Sequence, residues 1–119
     1  MCNKQGNTIT YKLTQPTPII FQISKINRKK VSSSKGEGEL IDLSNSNLTF
    51  QTTLQLPTDN NIELSFTFFI GFIEMTLTGT VLLKKELSNS YLYNVEISSD
   101  NRVSEIIYHL KNYERMSIG

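Results

Sequence analysis

Cysteine, histidine and long apolar runs are scarce in this chain, and each shortage removes a class of function. Cys2 is the only cysteine among 119 residues, so no intrachain disulfide can form. A single thiol beside the first methionine has no evident fixed environment to lower its pKa, which argues against nucleophilic catalysis there. His109 is the only histidine, and with Cys2 it cannot supply the ligand cluster that zinc requires. It flanks the apolar stripe of a C-terminal helix and is expected at the surface. Gly36-Glu37-Gly38 has neither the spacing nor the lysine of a phosphate-binding loop. The acids are scattered along the strands, as on solvated faces. No enzyme and no cofactor are therefore expected.

The longest greasy stretch, around Phe66 to Phe72, is broken by Thr67 and Gly71 and is too short to span a bilayer. Residues 1–10 are polar and have no apolar core of the kind a signal peptide carries. The expected compartment is a reducing cytoplasm.

What the chain does have is period-2 alternation. A length of 119 residues fits one domain and can bury a working core. Residues 1–10 look like a loose arm, residues 11–115 form the domain, and residues 116–119 are a tail. After the stiff run Gln15-Pro16-Thr17-Pro18, the segment Ile19 to Ile26 is rich in Ile and Phe and predicts a strand. Glu37 to Leu43 predicts a second. Leu48, Phe50, Leu54 and Leu56 then share one face, followed by turn formers from Pro57 to Asn61. Ile62, Leu64, Phe66, Phe68 and Ile70 alternate next. So do Ile73, Met75, Leu77, Gly79, Val81 and Leu83, and finally Tyr91, Tyr93, Val95 and Ile97. Only the C-terminus changes period: Val103, Ile106, Ile107 and Leu110 suit one helix face, with Ser99 or Asp100 available as N-cap. Six short antiparallel strands and one helix predict a mainly β fold, a small barrel or sandwich with the helix over an open end.

Two segments stand apart from this pattern. The polar run Asn27 to Gly36 is either a solvated loop or a short hairpin. The segment Phe68-Phe69-Ile70-Gly71-Phe72-Ile73 puts bulky apolar residues where a turn should be polar. Either these strands continue into the core and the turn lies elsewhere, or the turn is exposed. In the second case Phe69, Ile70 and Phe72 make a patch for a protein partner or self-association.

Charge is unevenly distributed. Seven basic residues precede the first acid, Glu37, and only five follow it against eleven acids. An anionic partner for the early segment is one consequence; mutual neutralisation of the two halves across the fold is the other. The turn Asp42-Leu43-Ser44-Asn45-Ser46-Asn47 offers a carboxylate, two hydroxyls and two amides. Brought onto one surface with Arg28, Lys29 and Lys30, it would suit a phosphorylated ligand bearing a polar base. Taken alone, Asp42 could instead cap its own turn.

Asp42-Leu43-Ser44-Asn45-Ser46-Asn47 resembles the Asp-x-Ser-x-x-Gly motif of PilZ domains. The proline-bearing strand Pro18-Ile19-Ile20-Phe21 before it resembles that family too, as do Leu77-Thr78-Gly79-Thr80-Val81 and the closing strand Tyr91 to Ile97 after it. The likeness spans about residues 11 to 115. It implies a six-stranded antiparallel PilZ-like β-barrel with a C-terminal α-helix, and a binding module in bacterial cyclic di-GMP signalling. The ligand set it implies is Asp42 and Ser44 with Asn47, helped by Lys25, Arg28, Lys29 and Lys30. The chain departs from the family at its Arg-x-x-x-Arg segment: Arg28 is followed four residues on by Ser32, and Lys25 by Lys29. Before the first strand, where relatives carry an arginine, stands Thr10-Tyr11-Lys12. Lysine keeps the charge but loses the planar fork that grips phosphate bidentately. Two lost charge-assisted contacts would cost roughly 3–6 kcal/mol, so nucleotide binding is expected to be weakened or lost. Asn47 and Asn94 replace family glycines, and asparagine is the residue that best tolerates a glycine-like positive φ. A degenerate PilZ domain acting only as a protein–protein adaptor is the alternative. A small nucleic-acid-binding barrel is the third reading. It is disfavoured because the aromatics lie on core faces and the later acids would repel a nucleic-acid backbone.

Overall fold

The computed structural model describes residues 10–31, 33–58, 61–98 and 103–118. Cys2, the arm over residues 1–9, Asp59, Asn60 and the proposed caps Ser99 and Asp100 lie outside the described residues. Among the described residues seven strands precede one helix: β1 Thr10–Ile26, β2 Lys29–Lys30, β3 Gly36–Ser44, β4 Asn47–Thr52, β5 Ile62–Ile70, β6 Ile73–Glu86, β7 Tyr91–Ile97 and α1 Val103–Ile118. Every pairing is antiparallel. The sheet order β2-β1-β3-β4-β7-β6-β5 closes through a further β1–β5 pairing, so six strands form a closed barrel and β2 is a two-residue spur. Closure removes most of the open edges that a sheet of this size would otherwise expose.

The barrel closes because β1 is long enough to serve two neighbours. Its first part pairs with β3, from Thr10 opposite Ser44 to Phe21 opposite Gly36. Its second part pairs with β5, from Ile20 opposite Thr67 to Ile26 opposite Ile62. The register breaks between Lys12 and Thr17, where Gln15 and Pro16 sit. A break of this kind is where a sheet tolerates proline, so the strand starts well before Ile19 and continues through the proline run.

The alternating faces of β5 and β7 account for most of the interior. Ile62, Leu64, Phe66, Phe68 and Ile70 are all buried, as are Tyr93, Val95 and Ile97. Phe50 lies among Phe21, Phe66 and Tyr93, with ring centroids 5.1, 5.1 and 5.3 Å away. The Tyr93 hydroxyl donates to the Leu54 carbonyl at 3.0 Å and accepts from the Leu56 N–H at 2.8 Å. It thereby fastens the loop after β4, and its burial raises its pKa above the ordinary tyrosine value. Gly79 sits where β6 meets β7: an added Cβ would stand 2.5 Å from the Glu96 carbonyl oxygen and 2.6 Å from a Val95 methyl.

Three expectations are corrected by local irregularities. β4 ends at Thr52, whose hydroxyl bonds the Glu37 carbonyl at 2.8 Å, and Leu54 beyond it is 45% exposed rather than on the core face. A bulge between Val81 and Leu83 turns Leu83 outward, and Ile73 at the other end of β6 is also exposed. The helix runs to Ile118, through most of the stretch assigned to a tail. Its apolar stripe is as expected. Val103, Ile106, Ile107 and Leu110 are buried, and α1 packs against β3 and β5. Among the described residues no helix is long and apolar enough to cross a membrane.

Candidate functional site

The turn from β3 to β4 is anchored by the pair Leu43–Leu48, both buried. Ser44, the next residue, is only 5% exposed, and its hydroxyl organises the turn. It accepts hydrogen bonds from the Asn47 N–H at 3.0 Å and the Ser46 N–H at 3.4 Å, and donates to the Asn47 carbonyl at 3.2 Å. The turn is tied to the end of β7 as well, since the Ile97 N–H donates to the Ser46 carbonyl at 2.7 Å. Ser44 therefore spends its hydroxyl on the backbone, in the local role that serine often takes at turns.

The glycine-like positive φ that Asn47 and Asn94 were expected to tolerate is not adopted at either position. Among the described non-glycine residues only Asn27 and Arg28 have positive φ, so neither Asn47 nor Asn94 adopts a left-handed backbone. What these asparagines do is bond to each other. Asn47 Nδ2 donates to Asn94 Oδ1 at 3.1 Å, and Asn94 Nδ2 donates to Thr49 Oγ1 at 3.4 Å. Two side chains thus tie β4 to β7 beside the turn, an attachment glycine cannot make.

Asp42 is half-buried on β3, just after a register break that isolates Ile41. The ladders put Lys12 of β1 opposite Asp42, Asp42 opposite Thr49, and Thr49 opposite Asn94. One row of register positions therefore crosses four strands and carries a lysine, a carboxylate, a hydroxyl and an amide. At its described side chains, Asp42, Thr49 and Asn94, the row carries donors and acceptors of the kind that read the edge of a polar heterocycle. Lys12 is the cation that sequence spacing underrated. Only the β1–β3 register places it beside Asp42.

The other predicted cations lie elsewhere. Lys25 pairs with Lys30 and Ile26 with Lys29, and Asn27-Arg28 form the two-residue turn from β1 to β2, so the basic run is a hairpin. Both turn residues have positive φ, 51° and 71°, as a type I′ hairpin requires. Asn27 is held by its N–H to the Asn61 carbonyl at 2.7 Å and by its Oδ1 to the Asn61 N–H at 3.1 Å. Arg28, Lys29 and Lys30 are exposed, and Lys25 is half-buried. Lys25 stands 13 residues further along β1 than Lys12. The β1–β3 register runs from Lys12 opposite Asp42 to Phe21 opposite Gly36 at the far end of β3, and Lys25 lies beyond that end, in register with β5 and β2. The structure thus does not bring Lys25, Arg28, Lys29 and Lys30 together with Asp42, Ser44 and Asn47.

At the β5–β6 hairpin the turn is exposed. Ile70 pairs with Ile73 across Gly71-Phe72, and Gly71 has φ 63°. Phe72 is 104% exposed and Phe69 is 55% exposed. Ile70, which the apolar patch was expected to include, is buried in the core; Ile73 takes its place at the surface. A groove of about 510 Å³ opens beside this hairpin, lined by Pro18, Ile20, Gly38, Thr67 and Phe69 among others. Sequence reasoning missed it because it arises where β1 leaves β5 for β3, a matter of pairing rather than of composition. The interior aromatics Phe21, Phe50, Phe66 and Tyr93 are enclosed, so they offer no stacking platform to nucleic acid bases.

No protein-family model matches this chain, and none of the curated proteins matches it. Fold and site together define a closed six-stranded antiparallel β-barrel with one C-terminal helix, a polar turn between β3 and β4, and an apolar hairpin between β5 and β6.

Proposed function

We propose that this chain is a non-catalytic PilZ-like module of bacterial cyclic di-GMP signalling in which nucleotide binding is weakened or lost. The observation that carries the reading is the position of the Asp42–Asn47 turn. It joins two strands of a six-stranded barrel, and β1 starts beside it. Weakened binding is supported by the hydrogen bonds of Ser44 and Asn47, which serve the turn itself, and by the remote basic hairpin. The residue in register with Asp42 on β1 is a lysine, Lys12, rather than an arginine, and lysine lacks the planar fork that grips phosphate bidentately.

Titration of the labelled protein with cyclic di-GMP, followed by amide NMR at low salt, tests this. Shifts are expected at Thr10–Lys12 and Asp42–Asn47, without saturation below about 100 µM. Sub-micromolar saturation would overturn the weakening. Silence around the turn at millimolar nucleotide, or shifts confined to Arg28–Lys30, would remove the nucleotide from this site.

A second reading is favoured by Phe72, an apolar side chain fully exposed at a tight turn. A PilZ-like barrel that has given up its nucleotide would act through this hairpin as a protein-contact adaptor.

A further inference from the structure

The hairpin tip and the groove beside it are complementary in kind. Phe72 is a protruding apolar knob, and the groove is an apolar-walled hole large enough for its ring: a cavity of about 150 Å³ already accommodates benzene, and this one measures about 510 Å³. Knob and hole are also neighbours, because Phe69 forms part of the groove wall three residues before Phe72. That adjacency is what a two-fold interface needs, since each copy must offer both surfaces within one self-complementary patch. The knob is pre-positioned as well. A two-residue turn with Gly71 at positive φ fixes the hairpin, so little ordering remains to be done on association.

We infer that the β5–β6 hairpin pairs this chain with a second copy of itself, each Phe72 entering the other copy's groove between Ile20 and Phe69. The inference rests on reading the hairpin as a protein-contact element and names its partner. Phe72, Phe69, Ile73 and Ile20 present on the order of 400–500 Å² of apolar surface per copy. Two copies then bury roughly 800–1,000 Å², at the low end for specific interfaces, so the dimer is weak and concentration-dependent. Glu37 on the groove rim and Glu74 beside Phe69 are exposed acids that pairing brings near their counterparts. Salt therefore strengthens this association rather than weakening it.

Sedimentation velocity on the full chain, from about 5 µM to about 1 mM, reads the equilibrium. A shift from monomer to dimer with a midpoint on the order of 10–100 µM is expected, moving lower as salt is raised. Phe72→Ser, which alters only an exposed side chain, is expected to remain monomeric throughout, and Ile20→Glu likewise. A parent that stays monomeric at about 1 mM, or a dimer that survives Phe72→Ser, overturns self-pairing. The adaptor reading fails separately, if Phe72→Ser changes neither the mass nor the binding of any partner isolated on the parent protein.

Discussion

Tyr93 concentrates several roles in one side chain. Its ring stacks on Phe50 inside the barrel, and its hydroxyl holds both the Leu54 carbonyl and the Leu56 N–H. Phenylalanine would keep the packing but leave two backbone groups without that partner, a loss of about 1–3 kcal/mol in urea unfolding at pH 7. The pH dependence follows from the raised pKa. Burial favours the neutral phenol, so its contribution is complete below the unfolded-state value near 10 and is lost as pH rises through the higher folded-state value. The stability gap between the parent and Tyr93→Phe should therefore narrow above about pH 10. A gap that stays constant up to pH ~11 would mean that Tyr93 ionises in the fold as readily as in the unfolded chain. Asn47 and Asn94 make a related point at the same scale. Each is legible as a residue that tolerates a positive φ, yet what they do is bond to each other, which depends on two strands distant in sequence.

Among the elements, the β1–β2 hairpin shows best how much of the fold a one-dimensional reading reaches. The basic run permitted a loop or a hairpin, and the choice fell to Asn27 and Arg28, both with positive φ. Asparagine tolerates that geometry; arginine pays a steric penalty for it. Arg28→Gly is expected to raise stability by about 0.5–1 kcal/mol, or roughly 2–4 °C in melting temperature, while Arg28→Ala retains the strain and gains nothing. Thermal melts of the two variants beside the parent decide this; equal effects would place the cost elsewhere. The same contrast between local and non-local causes runs through the other elements. β5 and β7 were readable because their alternation is unbroken. Leu83 departs from the alternation of β6 because a bulge after Val81 shifts the period, and Leu54 from that of β4 because the strand stops at Thr52. At the candidate site, the Asp42–Asn47 turn was legible because its residues bond to one another. The distance to the basic hairpin was not, because it follows from the length of β1 and from its change of partner between β3 and β5.

At the scale of the whole molecule, a closed barrel still needs something over its end. Leu43, Phe68 and Ile70 lie on β3 and β5, the strands against which α1 packs, and all three are buried. The helix contributes four buried side chains of its own, Val103, Ile106, Ile107 and Leu110. At about 1.5–3 kcal/mol each, their burial amounts to roughly 6–12 kcal/mol. A domain of this size has a net stability of about 5–15 kcal/mol, so the helix is not an accessory to an independently stable barrel. A chain ending at Ser98 is expected to lose cooperative unfolding and to bind hydrophobic dye, because it retains the strands but exposes the faces that α1 covered. Leu110→Ala offers a graded version, with an expected loss of about 2–5 kcal/mol and the fold retained. Calorimetry of the two proteins separates the possibilities. A sharp, parent-like transition in the truncated chain would show that six strands suffice. Its absence, together with a weakened but cooperative Leu110→Ala variant, makes barrel and helix one folding unit, in which the β3–β4 turn and the β5–β6 hairpin keep their positions only while α1 is docked.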